Sequence, residues 1–162
     1  MFEYPLLFIF PFAMAYAAAS DLLTLTIPNR ISLLLFAAFV ALAPLAGFSW
    51  ATFGQHLATG GVVLAVGVAL FALRVFGGGD AKLLAAASLW LGFDHISLFL
   101  AYLAIFGGLL CTVVLLYRSL VPAGALPLPD WAQRLHQPRS GVPYGIAIAA
   151  AALVGVDPDS NG

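Results

Sequence analysis

Residues 74–84 read RVFGGGDAKLL and contain three consecutive glycines, an aspartate and the only lysine of the chain. The sequence on both sides of this stretch is almost entirely apolar. Of the 162 residues, 63% are hydrophobic and 8% are charged, and the mean hydropathy is +1.06. A soluble domain of this length has too little interior to bury so much apolar surface, so the composition predicts a protein that is solvated by a lipid bilayer.

Charge and cysteine content exclude several classes of protein. The net charge of -1 provides no basic face for phosphates, so we expect no nucleic-acid partner. Cys111 is the only cysteine, which excludes an internal disulfide and a zinc site built from cysteine pairs. Because it lies in an apolar run, we interpret it as a small packing residue.

Apolar segments with short polar connections predict an all-α integral membrane protein with a single transmembrane domain over residues 1–162. A hydrocarbon core of about 30 Å requires about 20 apolar residues per helix, or fewer where flanking side chains reach the interface. The fourth of the segments is short by this measure. The six predicted spans are residues 4–20, 31–48, 57–76, 81–93, 96–117 and 142–156.

The distribution of basic residues supports six spans, because cytoplasmic loops collect lysine and arginine. With six spans, every basic residue falls on one side of the membrane. If the fourth segment did not cross, the arginines after residue 117 would move to the opposite side. We therefore predict six transmembrane helices with both termini outside. The basic side carries Arg30, Arg74, Lys82, Arg118, Arg134 and Arg139, and the other side carries Glu3, His56, Asp94, His95, Asp157 and Asp159.

The long connection at residues 118–141 is rich in proline and contains LPDWAQRLH. Asp130 could cap a short helix here, with Trp131 and Leu135 in the headgroup layer. A solvated linker is the interpretation we favour.

Two acids lie where a predicted span meets the basic side: Asp21 ends the first span and Asp80 begins the fourth. Taken singly, each is also explained as a helix-boundary residue, with the glycines as the turn before Asp80. Their coincidence at one edge of the membrane favours a shared site. Gly77, Gly78 and Gly79 remove side chains next to Asp80, which would let an extended peptide approach the carboxyl.

The chemistry of this pair favours hydrolysis over nucleotide binding. Asp80 would repel a phosphate, and the Lys-Ser/Thr pair of a phosphate loop is missing. Two aspartates at close range cannot easily ionise together, so one keeps a proton and can donate it to a carbonyl while the other activates water. This is the machinery of an aspartic protease, and it needs no metal or cofactor. The histidines, His56, His95 and His136, are not predicted to share a side, which argues against a metal cluster and a histidine-activated nucleophile.

Three stretches resemble the motifs of the type IV prepilin peptidases. SDLLTLTIPNR at 20–30 resembles their first aspartate motif, and FGGGDAKLLAA at 76–86 resembles their Gly-x-Gly-Asp motif. VPYGIAIAAA at 142–151 is similar to the Pro-Tyr-Gly element that opens the last helix of many members. A Gly-x-Gly-Asp motif alone would be weak evidence for a family. Here, however, all three motifs occur in the order found in the family, and together they span almost the whole chain.

By this resemblance, Asp21 and Asp80 are the catalytic pair of a membrane-embedded aspartic endopeptidase. The resemblance implies six membrane helices, a site near the cytoplasmic face of the bacterial inner membrane, and removal of the short basic leader of prepilins or pseudopilins. The substrate helix must unwind before cleavage, and the glycines would provide room for it. The positions that would shape the site or bind substrate are Ile27, Pro28, Asn29, Gly77, Gly78, Gly79, Lys82, Pro143, Tyr144 and Gly145.

In its short length, this chain resembles the members of the family that process the pilins of tight-adherence pili. Larger members of the family carry an extra N-terminal part with paired cysteines and also methylate the new pilin terminus. This chain has about three residues before its first predicted span and one cysteine, so we expect peptidase activity without methylation. The expected partners are the pilin substrate and membrane lipid.

Two other functions stay open. Two membrane carboxylates can relay a proton or ion in a small transporter subunit, which would place them near the bilayer midplane and facing a cavity that crosses it. The chain could also be a pilus assembly factor that binds pilin without cutting it.

Overall fold

The computed structural model describes residues 3–121, 129–136 and 141–155, with the backbone alone for residues 3–7. Within these ranges all regular secondary structure is helical, which confirms the all-α prediction. The helices are α1 Glu3–Thr24, α2 Asn29–Leu45, α3 Trp50–Ala72, α4 Gly78–Leu120, α5 Asp130–Leu135 and α6 Tyr144–Gly155.

A tight turn built by hydroxyl side chains connects α1 to α2. Leu25 adopts a left-handed backbone with a φ of 54°, which ends α1. The Thr24 hydroxyl donates to the Ser20 carbonyl at 2.7 Å and also lies 2.7 Å from the Thr26 hydroxyl. Pro28 then precedes α2 in an extended conformation, where its fixed φ suits the start of a helix. These local bonds fix the path of the chain immediately after Asp21.

Helix α4 reverses its direction at Gly92, which has a φ of 73° and a ψ of -176°. A straight helix of this length would place Asp80 and Cys111 about 46 Å apart, yet both residues line one cavity. The two arms, α4a (residues 78–91) and α4b (residues 93–120), therefore lie alongside each other. The sequence predicted this break between residues 93 and 96, a few positions too late.

Glycine is required at the reversal for two reasons. Its backbone conformation is one that other residues adopt only under strain. In addition, a Cβ at position 92 would lie 2.6 Å from ring atoms of His56 on α3. The His56 imidazole is held there by a 2.8 Å hydrogen bond between its Nδ1 and the Leu89 carbonyl oxygen.

The arm α4a is the most buried part of the bundle. Helix α4 packs against α2, α3 and α6, and α1 packs against α2 and α6. Small residues bring α3 close to α4a: a Cβ at Gly60 would lie 3.0 Å from the Leu89 Cβ, and one at Gly67 would lie 2.9 Å from the Ala81 Cβ. Such close approach is typical of helix packing within membranes. It holds α4a against α3 from Ala81 to Leu89.

Aromatic side chains pack around Trp90 in the half of the bundle near Gly92. The Trp90 ring centroid lies 5.6 Å from that of Phe10 and 5.9 Å from that of Phe39. Its indole Nε1 donates to the Leu35 carbonyl at 2.9 Å. A buried indole N–H needs such a partner, so this bond fixes the orientation of the ring.

The surface of the bundle carries the apolar side chains expected of a lipid-facing protein. Trp50–Ala72 and Gly78–Leu120 are long and apolar enough to cross a membrane, and Phe8–Thr24, Asn29–Leu45 and Tyr144–Gly155 are shorter apolar helices. Large exposed hydrophobic residues include Phe12, Leu45, Trp50, Leu73, Val75 and Leu120.

The count of six spans and the outside location of both termini stay predictions. Residues 1–2 and 156–162 lie outside the described residues, and so do Arg139, Asp157, Asp159 and the side chain of Glu3.

The connection between α4 and α6 contains a helix, so the favoured interpretation of a solvated linker is wrong for residues 130–135. Asp130 is the first residue of α5 rather than its cap, because Pro129 occupies the N-cap position. Leu135 is buried within the protein instead of facing the headgroups. Trp131 is partly buried.

Two side chains at the end of α4 hold α5 in place. The Tyr117 hydroxyl donates to the Ala132 carbonyl at 3.1 Å, and Arg118 Nε donates to the Leu135 carbonyl at 2.7 Å. The last carbonyls of a short helix lack partners within it. Long-range donors from α4b satisfy them here.

Candidate active site

A cavity of about 720 Å³ opens at the end of the bundle where α1 ends and α4 begins. Its wall is formed by the α1–α2 turn, the loop before α4, one position on α4b and the segment that leads into α6. Both Asp21 and Asp80 line it. The topology therefore brings together the two acids that the sequence singled out.

Asp21 is held in the last turn of α1 by a backbone donor from α6. Its side chain is buried, with an exposure of 4%. Its Oδ2 accepts the Gly145 N–H at 2.7 Å. Gly145 lies in the first turn of α6, where N–H groups lack partners within the helix and are free to donate. A Cβ at Gly145 would lie 2.8 Å from that Oδ2, so only glycine allows this approach without a shift.

Asp80 lies in the first turn of α4a and folds back over Gly77. A Cβ at Gly77, the N-cap of the helix, would lie 2.5 Å from Asp80 Oδ2. Any side chain at position 77 would therefore displace the carboxyl. A negative group in the first turn also interacts favourably with the positive end of the helix dipole.

The two carboxyl groups share one cavity. Negative charges that share a site disfavour each other's ionisation. Both groups are also partly removed from water, which makes it harder for them to ionise together. The arrangement thus suits one shared proton.

Ile27 packs between the helices that carry the site. A Cβ at Gly79 would lie 3.2 Å from the Ile27 Cβ, and one at Gly145 would lie 3.0 Å from its Cδ1. The side chain therefore occupies the space that these two glycines leave open. This contact sets the spacing between the α1–α2 turn, α4a and α6.

Each of the three glycines before Asp80 leaves space for a different side chain. All three line the cavity. Gly77 makes room for the Asp80 carboxyl, whereas a Cβ at Gly78 would lie 3.2 Å from the Phe71 ring and one at Gly79 would meet Ile27. Packing within the protein thus accounts for Gly78 and Gly79.

The remaining residues of the third motif flank the cavity. Tyr144 lines it, with its ring 5.8 Å from that of Phe76 in an edge-on contact. Its hydroxyl occupies the space that a Cβ at Gly107 would fill, so Tyr144 packs α6 directly against α4b. Pro143 is fully buried and is not part of the cavity wall.

Asn29 and Lys82 form a polar pair at the edge of the cavity. Asn29 lines it, and its Oδ1 accepts a hydrogen bond from Lys82 Nζ at 2.9 Å. Lys82 itself lines a neighbouring cavity instead. Pro28, between Ile27 and Asn29, lines neither.

Sequence reasoning missed Cys111 as part of the site. It is a free thiol that lines the same cavity as the aspartates. Its apolar neighbours in the sequence give no local signal, because its position depends on the reversal at Gly92. Within the part of the chain that the structure describes, no group of three or more potential ligands is placed to hold a metal ion.

The described part of the chain is thus a bundle of apolar helices with two carboxyls in one cavity. The model of the type IV leader peptidase family matches residues 8–113, which is more than half of the chain and includes both aspartate motifs. The chain belongs to this family, and the resemblance drawn from the motifs is confirmed. No curated protein and no solved structure matches the chain. The third motif lies beyond the matched range.

Proposed function

We propose that the protein is an aspartic endopeptidase that removes the short basic leader of prepilins or pseudopilins at the cytoplasmic face of the bacterial inner membrane. The observation that carries this proposal is the shared cavity: carboxyl groups from α1 and α4a line it together. The family of the chain supports peptide hydrolysis as the reaction.

The hydrogen bond from Gly145 to Asp21 supports different roles for the two acids. A backbone N–H stabilises negative charge on the oxygen that accepts it. We therefore assign Asp21 as the charged member and general base, and Asp80 as the holder of the shared proton and the general acid.

The proposed reaction uses one water molecule and forms no covalent bond between enzyme and substrate. Asp21 removes a proton from the water as its oxygen attacks the scissile carbonyl carbon, and Asp80 donates its proton to the carbonyl oxygen. The resulting diol collapses when Asp21 passes its proton to the leaving nitrogen and Asp80 recovers a proton from the diol. The peptide C–N bond breaks, and both acids return to their starting states.

The charge distribution supports a cytoplasmic location for the cavity. Five basic residues lie near the helix ends that surround it, and basic residues collect on the cytoplasmic side of membrane proteins. They are Arg30, Arg74, Lys82, Arg118 and Arg134.

The position of the acids argues against the transporter hypothesis. Asp21 is three residues from the end of α1, and Asp80 is in the first turn of α4. A relay across the bilayer requires carboxyls nearer the middle of the helices. Their location at the helix ends favours a site that is reached from one side.

Purified protein mixed with purified prepilin tests the proposal. We expect a product that is shorter by the leader, identified by its mass and its new N-terminus. Complex formation with an intact prepilin would contradict the proposal and favour an assembly factor.

A further inference from the structure

A second cavity of about 450 Å³ lies beside the candidate active site, between α2, α3 and α4a. Its walls are mostly aliphatic and aromatic, with Leu33 and Phe36 from α2, Leu57 and Leu64 from α3, and Leu89 from α4a. We name it the side groove. An apolar groove open on the flank of a membrane protein accepts either lipid or an apolar polypeptide segment.

The side groove adjoins the active-site cavity. Asn29 lines both, and its bond to Lys82 marks the border between them. The aspartates lie on one side of this border and the apolar walls lie on the other. A polypeptide that extends from the aspartates past Asn29 therefore meets the side groove next.

The border also holds a buried hydroxyl that lacks a partner. Ser32 lines the groove one turn beyond Asn29, and its Oγ is buried and has no hydrogen-bond partner among the described residues. Buried polar atoms normally have partners. A peptide backbone that has been unwound next to the scissile bond carries free N–H and C=O groups that match this hydroxyl.

The floor of the groove is open at Gly61. A Cβ at Gly61 would have no heavy atom within 4 Å, whereas one at the adjacent Gly60 would lie 3.0 Å from the Leu89 Cβ. Gly60 thus serves helix packing. Gly61 leaves space on the groove side that no described residue fills.

We propose that the side groove binds the apolar segment of the substrate that follows the cleaved bond, with Ser32 accepting or donating one hydrogen bond to its unwound start. This inference rests on the proposed function, because it uses a substrate with a polar leader and an apolar segment after it. The leader then occupies the active-site cavity, and the border at Asn29 sets the register of cleavage.

Filling the groove tests the inference. Gly61→Leu places a side chain into the open floor, and Gly108→Leu is the matched control because a Cβ at Gly108 also has no atom within 4 Å but lies on α4b, away from the groove. Two substrates are compared: full-length prepilin and a short peptide that ends a few residues after the cleavage site. For Gly61→Leu, we expect kcat/KM for prepilin to fall about 10-fold or more relative to that for the short peptide, mainly through KM. Gly108→Leu keeps the wild-type ratio.

Two further measurements keep the inference testable if Gly61→Leu does not fold. Ser32→Ala is a smaller change and should lower kcat/KM for prepilin more than for the short peptide. A photo-crosslinking side chain at position 61 should capture the apolar segment of prepilin in lipid vesicles.

Specific outcomes overturn the inference. Equal effects of Gly61→Leu on both substrates, wild-type cleavage of prepilin by this variant, or crosslinks from position 61 to lipid alone each contradict it while leaving the proposed function intact. A wild-type protein that cleaves neither substrate overturns the proposed function, and this inference with it.

Discussion

The hydrogen bond from Gly145 to Asp21 provides a sharp test of how the site is held. In Gly145→Ala, the new Cβ would lie 2.8 Å from Asp21 Oδ2, 3.0 Å from Asp21 Cβ and 3.0 Å from Ile27 Cδ1. Carbon atoms normally pack at about 3.5–4.0 Å. The methyl group must therefore move α6 away from α1 or rotate the Asp21 carboxyl, and either change weakens the 2.7 Å bond.

The expected size of the effect follows from the type of bond. A hydrogen bond to a charged group contributes about 1.5–3 kcal/mol. Since 1.36 kcal/mol corresponds to tenfold in rate, its loss should lower kcat by about 10- to 100-fold. KM should change little, because Gly145 contacts Asp21 and is not part of the cavity wall.

The assay is the steady-state cleavage of prepilin by purified protein in lipid vesicles. Gly54→Ala is the control, since a Cβ at Gly54 has no neighbour within 4 Å. A wild-type kcat for Gly145→Ala would refute the role assigned to this bond. An unchanged kcat with a raised KM would mean that position 145 contacts substrate instead.

Two other predictions follow from the geometry. A maleimide should label Cys111 through the cavity, and an uncleavable prepilin should slow the labelling; equal labelling rates with and without the prepilin would place bound substrate away from this thiol. Gly92→Ala should lower the thermal unfolding midpoint, because its backbone conformation costs about 1–3 kcal/mol in other residues and its methyl group would meet His56. Adding His56→Ala relieves the collision but not the backbone strain, so an unchanged midpoint in Gly92→Ala, or full recovery in the double variant, would contradict this explanation.

The sequence predicted the helical class and the meeting of Asp21 with Asp80, because both depend on local signals. Apolar segments of defined length show where helices run, and each aspartate lies at a segment end. Two acids at the same edge of a bundle then need only short connections to meet. The Gly-x-Gly-Asp and Ile-Pro-Asn motifs also indicated the family, and the family model confirms it.

The parts that sequence reasoning missed depend on contacts between distant residues. Helix α5 is stabilised by donors from Tyr117 and Arg118, which no local pattern reveals, so its proline-rich surroundings favoured a linker. Cys111 reaches the cavity because α4 reverses at Gly92. Position 79 favours glycine because the side chain of Ile27 packs against it, and Ile27 is 52 positions away in the sequence.

The most direct test of the central claim compares prepilin cleavage by Asp21→Asn, Asp80→Asn and Asp94→Asn. Asp94 is the matched control, since it lies next to the reversal at Gly92 and not on the cavity. We expect each of the first two substitutions to lower the cleavage rate by about 10²- to 10⁴-fold and Asp94→Asn to keep the wild-type rate. Cleavage at the wild-type rate by either Asp21→Asn or Asp80→Asn would show that the two carboxyls do not form the catalytic pair.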